Sequence, residues 1–284
     1  MTYSIVHLSD PHFGGEADLA RIGALEDMMP DLAPDLVVVS GDLTVRARHG
    51  EFQAAREWLR ELERSAPVFV IPGNHDVQWW RRPLLPYGSQ AIYAKYRTYF
   101  GPVLAPLHRS SEVVVAGVHT AHGLAWRSLG PDPREWTVTG HLTAREMERV
   151  SAVFQRAEPG QARIIVMHHN VLRGEQSGRM GLVRWKRVHR WLMESGADLV
   201  LCGHDPLNKT DVMGGVVISC AGALARRAPE DRPAAFHRIV IEETAIQIEP
   251  YLWDRDRRHF RRTDVLAFAR QRVKHVEPVP AGII

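Results

Sequence analysis

Five short apolar runs, each followed closely by acidic, amide or imidazole side chains, constrain the fold of this chain more than any other feature. The runs are too short for typical helices and rich in β-branched residues, so we interpret each as a buried strand. After one of them, Pro72 and Gly73 stop the strand and force a turn. The runs and the polar residues after them are 4–8 with Asp10 and His12, 36–39 with Asp42, 68–71 with Asn74, His75 and Asp76, 164–167 with His168 and His169, and 199–202 with His204.

The segments between the first three runs indicate how these strands are arranged. Residues 16–34 and 51–64 carry apolar side chains at helical spacing, and the order strand, helix, strand, helix, strand predicts a parallel sheet with right-handed crossovers. Sites in such sheets form outside the carboxyl ends of the strands. One buried histidine is usually a satisfied core residue, but five strand ends with such side chains predict one shared site.

The rest of the chain predicts further strands and helices. A strand is expected at 113–118, helices at 139–155 and 184–195, and a meander of strands at 215–220, 236–241 and 245–252. Residues 77–111 interleave aromatic and basic side chains and are expected to form a cap-like insertion, in which Tyr93, Tyr96 and Phe100 have the spacing of a helix core face. Residues from about 264 to 284 are expected to form a C-terminal helix and tail, and residues 1–284 one domain.

The composition narrows the class of protein. Hydrophobic residues make up 45% of the 284 residues and charged residues 24%, as in ordinary globular proteins. The net charge of +3 suits an anionic substrate but indicates no dedicated nucleic-acid surface. Cys202 and Cys220 lie in apolar runs and are expected to be buried, reduced thiols. The sequence shows no signal peptide and no spanning segment, so we expect a cytoplasmic protein, with peripheral membrane contact and oligomeric state left open.

The ordered motifs at the strand ends resemble those of one known superfamily. Asp10-x-His12, Gly41-Asp42, Gly73-Asn74-His75-Asp76, His168-His169 and Gly203-His204 are similar to the motifs of the calcineurin-like metallophosphoesterases, and they span residues 4 to about 206. The resemblance implies a four-layer α/β/β/α sandwich of two mixed sheets with flanking helices. It also implies two divalent metal ions, with Mn²⁺ expected first and Fe or Zn as alternatives, and a hydroxide between them that attacks the phosphate.

The resemblance also implies roles for individual residues. His75 would be the general acid or transition-state stabiliser, and Asp76 would orient its ring. Of the adjacent pair, His168 would bind metal, whereas His169 would support the ligands without binding metal or would contact substrate. Which of the two histidines is the ligand stays open. By motif, the first ion would take Asp10 and His12, Asp42 would bridge the two ions, and the second ion would take Asn74, His168 and His204. Independently of the resemblance, the basic and aromatic stretch after Asp76 predicts that Arg81 and Arg82 contact a phosphate-bearing substrate.

One departure from the superfamily pattern stands at the last motif. The family pattern there is Gly-His-x-His, whereas this chain reads Gly203-His204-Asp205-Pro206. Proline has no side-chain donor, so the first ion would keep Asp10, His12 and Asp42 as its protein ligands. Asp205 or Asn208 would be the nearest residues able to replace the missing imidazole.

The resemblance leaves several activities to compare. The residues in and around the motifs are most similar to those of the cyclic-nucleotide phosphodiesterase branch, which implies hydrolysis of a cyclic nucleotide or another small phosphodiester. The alternative is pyrophosphate hydrolysis in a nucleotide-linked lipid such as a UDP-diacylglucosamine. Residues 77–111 would then form an apolar and basic entrance to the site. A non-catalytic metal-binding scaffold is less favoured, and a DNA nuclease less still, because no long basic surface is visible.

Overall fold

Two mixed β-sheets pack face to face, with helices on their outer faces, in the computed structural model of the chain. This is the predicted four-layer α/β/β/α sandwich. The structure describes residues 2–15, 17–77, 90–122, 139–174, 180–205, 208–225 and 233–270. Arg81, Arg82, Pro206 and the tail beyond 270 lie outside these residues, so the single-domain boundary and the cap-like role of 77–111 stay predictions.

The elements follow one another in the order that the apolar runs predict, with some additions. Along the described chain they are β1 (Tyr3–Leu8), α1 (Leu19–Leu32), β2 (Leu36–Val39), α2 (His49–Leu62), β3 (Val68–Val70), a 3-10 turn (Gln90–Tyr93), α3 (Ala94–Phe100), β4 (Leu107–Arg109), β5 (Val113–Val118), α4 (Ala144–Gln155), β6 (Ala162–Met167), α5 (Trp185–Glu194), β7 (Leu199–Cys202), β8 (Lys209–Met213), β9 (Val216–Cys220), β10 (Ala235–Ile241), β11 (Ala245–Asp254), β12 (His259–Arg262) and β13 (Leu266–Ala269).

Strand order places every proposed ligand at one edge of the sandwich. The first sheet runs β12-β11-β10-β1-β2-β3, with β13 paired to β11, and the second runs β4-β5-β6-β7-β9-β8. β1, β2 and β3 are parallel, as predicted, and β5, β6, β7 and β9 are parallel in the other sheet. The carboxyl ends of the strands that precede the Asp, Asn and His motifs therefore meet at one edge.

Apolar side chains form three layers of core that explain this stacking. The layer between the two sheets includes Ile5 and Val38 from the first sheet and Val115 and Ile164 from the second, all fully buried. α1 and α2 cover the outer face of the first sheet, and α4 and α5 cover that of the second. Strands buried on both faces read as continuous apolar runs, which is why the sequence identified them.

Several sequence-based expectations about the later strands are wrong. β9 does not belong to a meander with β10 and β11, because it pairs with β7 in the second sheet; the antiparallel hairpin is formed by β10 and β11 alone. The segment expected to begin a C-terminal helix contains β13, which pairs with β11. The edge strands β8 and β12 were not predicted, since both contain charged residues, are largely or partly exposed apart from Phe260, and show no apolar run.

Two smaller predictions are confirmed. Tyr93 in the 3-10 turn and Tyr96 on α3 are fully buried, as expected for a core face, and Phe100 is partly buried against the same core as Tyr96. Cys202 and Cys220 are free thiols that face each other across β7 and β9, with 3.0 Å between their sulfur atoms.

Among the described residues, no helix combines the length and apolarity needed to cross a membrane.

A buried ion pair joins the two sheets at the end opposite the proposed site. Arg270 follows β13 of the first sheet, and its Nε lies 3.1 Å from Oδ1 of Asp198, which precedes β7 of the second. Both side chains are more than nine-tenths buried. Arg270 Nη2 also donates to the carbonyl of Gly160, before β6, at 2.8 Å. The pair therefore ties together the amino-terminal ends of β6 and β7.

We expect Arg270→Met to lower the free energy of unfolding by about 3–5 kcal/mol, because Asp198 would stay buried without its cation. Urea unfolding at neutral pH measures this change. Asp198→Asn in the same chain should recover part of the loss, since it removes the uncompensated charge. A loss below about 1 kcal/mol, which is typical of an exposed pair, would contradict the prediction.

Candidate metal centre

The loops after the strands place their polar side chains by turning through backbone conformations that most residues avoid. Asp10, His12, Asp42 and His204 all have positive φ, at 53°, 48°, 53° and 71°. A non-glycine residue held there costs on the order of 1–3 kcal/mol and persists only where the surroundings impose it. Four proposed ligands share this geometry, so the chain accepts local strain to direct these side chains inward.

Two glycines allow the loops to approach one another closely. A Cβ atom on Gly73 would lie 2.1 Å from Asp42 Oδ1, and a Cβ atom on Gly203 would lie 1.8 Å from Ser9 Oγ. Neither position has room for a side chain. The Gly-Asn-His-Asp and Gly-His motifs therefore need glycine for packing between strand ends.

Asp42 stands between two groups of donor atoms. On one side, its Oδ2 lies 3.7 Å from His12 Nε2, which is itself 3.3 Å from Asp10 Oδ1. On the other side, the same Oδ2 lies 3.4 Å from His168 Nε2. Asp42 Oδ1 accepts the backbone N–H of His75 at 2.8 Å, which fixes the carboxylate plane. One oxygen of Asp42 is thus shared by both groups.

The second group gathers an amide oxygen and two imidazole nitrogens around a common point. Asn74 Oδ1 lies 3.0 Å from His168 Nε2 and 3.0 Å from His204 Nδ1, and the two nitrogens are 3.2 Å apart. Two nitrogens bound about 2.1 Å from one ion would be roughly 3.0–3.4 Å apart. His168 Nδ1 donates to the carbonyl of Ser40 at 2.9 Å, so its Nε2 points to the centre.

Burial and charge make this region electrostatically unusual. Burial opposes ionisation of Asp42, but the imidazoles of His168 and His75 outweigh it and hold the pKa of that carboxyl well below its usual value. Burial likewise opposes the charge on His168, yet Asp42 and Asp10 raise its pKa to about 9. Burial and then His168 lower the pKa of His204 to about 4. The carboxylates therefore attract positive charge to a group of buried side chains.

The donor set fits divalent metal ions. Within the part of the chain that the structure describes, two groups of side chains could each hold an ion: Asp10 with Asp42 and His168, and His168 with His169 and His204. In each group the ligand atoms lie within 4.8 Å of one another. Mixed carboxylate and imidazole donors suit Mn, Fe or Zn.

The role expected for Asp76 is wrong. Its carboxylate accepts the backbone N–H groups of Leu43, Thr44 and Gly73 and the Thr44 hydroxyl, at 2.9–3.0 Å. The ring of His75 is held instead by the carbonyl of Val45, which accepts from Nδ1 at 2.8 Å. Asp76 therefore braces the loop of Asp42 against the turn at Gly73. Burial and the charge of Asp42 raise its pKa to about 6.

His75 remains directed at the centre. Its Nε2 lies 4.0 Å from Asp42 Oδ2, and its side chain is 37% exposed, which makes it more accessible than the proposed ligands Asp42 and His168. The rings of His75 and His12 meet edge to face with 4.9 Å between centroids. His75 therefore lies at the more exposed side of the two donor groups.

Two supporting contacts carried no sequence signal. The carbonyls of Ser40 and Val45 orient His168 and His75, but any residue has a carbonyl, so no pattern could have identified them.

Asn208, which could have replaced the missing imidazole of the last motif, is engaged elsewhere, because its amide oxygen is hydrogen-bonded to His237. The loop residue Pro206 lies outside the described residues.

Buried carboxylate, amide and imidazole groups thus meet at the strand ends of a two-sheet sandwich, an arrangement that fits divalent metal ions. The chain belongs to the calcineurin-like phosphoesterase family, because the model of that family matches residues 3–208. It is 35% identical over 112 residues to a glycerophosphodiester phosphodiesterase GpdQ of Enterobacter lignolyticus, and 31% identical over 84 residues to a probable cyclic nucleotide phosphodiesterase of Synechococcus. These alignments cover 32% and 27% of this chain, and 38% and 32% of the two relatives.

Solved structures share the fold. A dimetal phosphatase from Danio rerio superposes with a TM-score of 0.67 at 14% identity, over 95% of this chain and 99% of that one. A purple acid phosphatase from yellow lupin superposes with a TM-score of 0.61 at 13% identity, over 95% of this chain and 54% of that one. At such low identity these likenesses concern the fold.

Proposed function

We propose that the protein hydrolyses a small phosphodiester with the help of two divalent metal ions. The observation that carries the proposal is the position of Asp42, whose Oδ2 lies between the two donor groups and within 4.0 Å of His75 Nε2. Of the two ions, one would be held by Asp10, His12 and Asp42. The other would be held by Asp42, Asn74, His168 and His204, with Mn²⁺ expected first and Fe or Zn as alternatives.

The bound ions, His75 and Asp76 would each have a separate role in the reaction. Bound divalent ions would lower the pKa of water and neutralise charge on the phosphate. His75, fixed by the Val45 carbonyl, would donate a proton from Nε2 to the leaving oxygen. Asp76 would fix the relative positions of Asp42 and His75 through its hydrogen bonds to Leu43, Thr44 and Gly73.

A diester is favoured over other phosphate compounds by the relatives. The two curated proteins described above are named for glycerophosphodiesters and cyclic nucleotides, and both names denote phosphodiester hydrolysis. The alternative of a nucleotide-linked lipid rested on the stretch with Arg81 and Arg82, and no described residue adds support to it. The scaffold alternative is disfavoured because both donor groups and His75 share one centre.

The test compares bis-p-nitrophenyl phosphate with p-nitrophenyl phosphate, using chelator-stripped protein with Mn²⁺ added back. We expect cleavage that depends on the metal and favours the diester. Equal or preferential cleavage of the monoester would contradict a diesterase. Absence of cleavage of either compound by protein that still binds two ions would contradict the proposal as a whole.

The two ions should bind unequally. The second donor group has three neutral donors and shares Asp42, whereas the first lacks the imidazole that the family pattern places at Pro206. We therefore expect one ion to remain at limiting metal and the other to dissociate first during dialysis. Metal analysis of protein equilibrated with one and with two equivalents measures this. Two ions of equal affinity would contradict the prediction.

A further inference from the structure

A third histidine stands against the second donor group. His169 follows His168 directly, and a metal-ligating nitrogen of its ring lies within 4.8 Å of those of His168 and His204. Its ring centroid is 5.0 Å from that of His168 and 4.6 Å from that of His204. The side chain is fully buried at the carboxyl end of β6. Three imidazoles therefore share one small volume, although two suffice for the set expected from the motifs.

The far side of the His169 ring is held by groups from another part of the second sheet. Its Nδ1 is hydrogen-bonded to Thr120 Oγ1 at 2.8 Å, just beyond the end of β5. Metal-bound imidazoles commonly donate their second nitrogen to such a partner, which fixes both tautomer and ring orientation. In the tautomer where Nδ1–H donates to Thr120, Nε2 carries the lone pair that a metal needs.

The backbone of Gly140 closes the remaining face of this ring. A Cβ atom at Gly140 would lie 2.3 Å from Nδ1 and 2.4 Å from Cγ of His169, so only glycine fits there. Gly140 is itself fixed, because its N–H donates to the carbonyl of Gly181 and its carbonyl accepts from Val183. The ring is thus clamped from behind and presented to His168 and His204.

We propose that His169 is a third imidazole ligand of the second ion, so that the two metal positions differ in kind. This inference rests on the proposed function, because it concerns the same centre. The second ion would have three imidazoles, the Asn74 amide oxygen and the shared Asp42 carboxylate. The first would have Asp10, Asp42 and His12, a donor set richer in oxygen. Nitrogen-rich sites favour Zn²⁺ or Fe²⁺, whereas oxygen-rich sites are suited to Mn²⁺.

The experiment counts imidazoles directly. Chelator-stripped protein is loaded with one equivalent of Zn²⁺, and X-ray absorption fine structure of the zinc edge reports the number of imidazole ligands. We expect three in the wild type and two in His169→Ala, and we expect zinc affinity, measured against a chromophoric chelator, to fall more than tenfold. His169→Gln provides a second variant that fills the pocket if the alanine protein folds poorly. His49→Ala, an exposed histidine on α2, is the matched control and should change neither value.

Thr120→Val separates a ligand from a neighbour that merely supports one. It removes the hydrogen bond to Nδ1 but keeps the His169 ring, so we expect all three imidazoles to remain, with affinity lowered about tenfold. Two imidazoles in the wild type, with an unchanged count and affinity in His169→Ala, would overturn this inference. If the wild-type protein still cleaved diesters with added metal in that case, the proposed function would stand. Wild-type protein that bound no metal at all would overturn both.

Discussion

Asp42→Asn should remove metal-dependent hydrolysis and reduce the bound metal from two ions to at most one. Asparagine keeps the size of the side chain, and it tolerates the positive φ of 53° at this position better than most residues. It can still accept the His75 N–H, so the loop should keep its shape. What it removes is the negative charge of the oxygen that lies between His12 and His168.

Metal analysis after gel filtration and the diester assay together measure this effect. Activity should fall to the level of metal-free wild-type protein, while the circular dichroism spectrum stays unchanged. Asp31→Asn, on the exposed face of α1, is the matched control and should leave both metal content and activity as they are. Asp42→Asn protein that retained two ions and normal turnover would exclude Asp42 as the bridge.

His75→Ala should leave both ions in place and lower turnover by roughly 10²–10⁴, the usual contribution of a positioned acid. The ring touches the centre from its open side, and its Nε2 is 4.0 Å from Asp42 Oδ2, so its loss removes no proposed ligand. Turnover number and metal content of the same preparation provide the measurement. Loss of an ion in this variant would make His75 a ligand instead.

The leaving group distinguishes an acid from a purely electrostatic role. p-Nitrophenolate leaves without a proton, whereas an alkoxide needs one, so the loss in His75→Ala should be larger for an alkyl diester than for bis-p-nitrophenyl phosphate. The exposed His49 again supplies a control substitution. Equal losses on both substrates would assign His75 to charge stabilisation.

Much of the candidate site could be predicted from the sequence because apolar strands end where polar side chains begin. Parallel strands bring their carboxyl ends to one edge, so the sequence predicts that Asp10, Asp42 and Asn74 meet there. The choice between His168 and His169 could not be made in this way. Both side chains follow the same strand, and only the Ser40 carbonyl and the Thr120 hydroxyl, which lie far away in sequence, distinguish their orientations.

The errors have physical causes of the same kind. Asp76 is adjacent to His75 in sequence, yet its carboxylate is surrounded by three backbone N–H groups that offer it better partners. An apolar run such as β9 indicates burial, but not which of two buried sheets contains it. β13 was missed because its four residues, three exposed and one partly buried, pair with β11 without any periodic pattern.

The proposed ligands come from both halves of the sandwich. Asp10, His12, Asp42 and Asn74 follow strands of the first sheet, and His168 and His204 follow strands of the second. A bound metal pair would therefore act as a crosslink between two sheets that pack through a largely apolar layer and that Arg270 and Asp198 join at the far end. Because ions that bind only the folded chain stabilise it by mass action, chelation should lower the free energy of unfolding. Amide hydrogen exchange should then accelerate first at the carboxyl ends of β6 and β7, long before the Arg270 end opens.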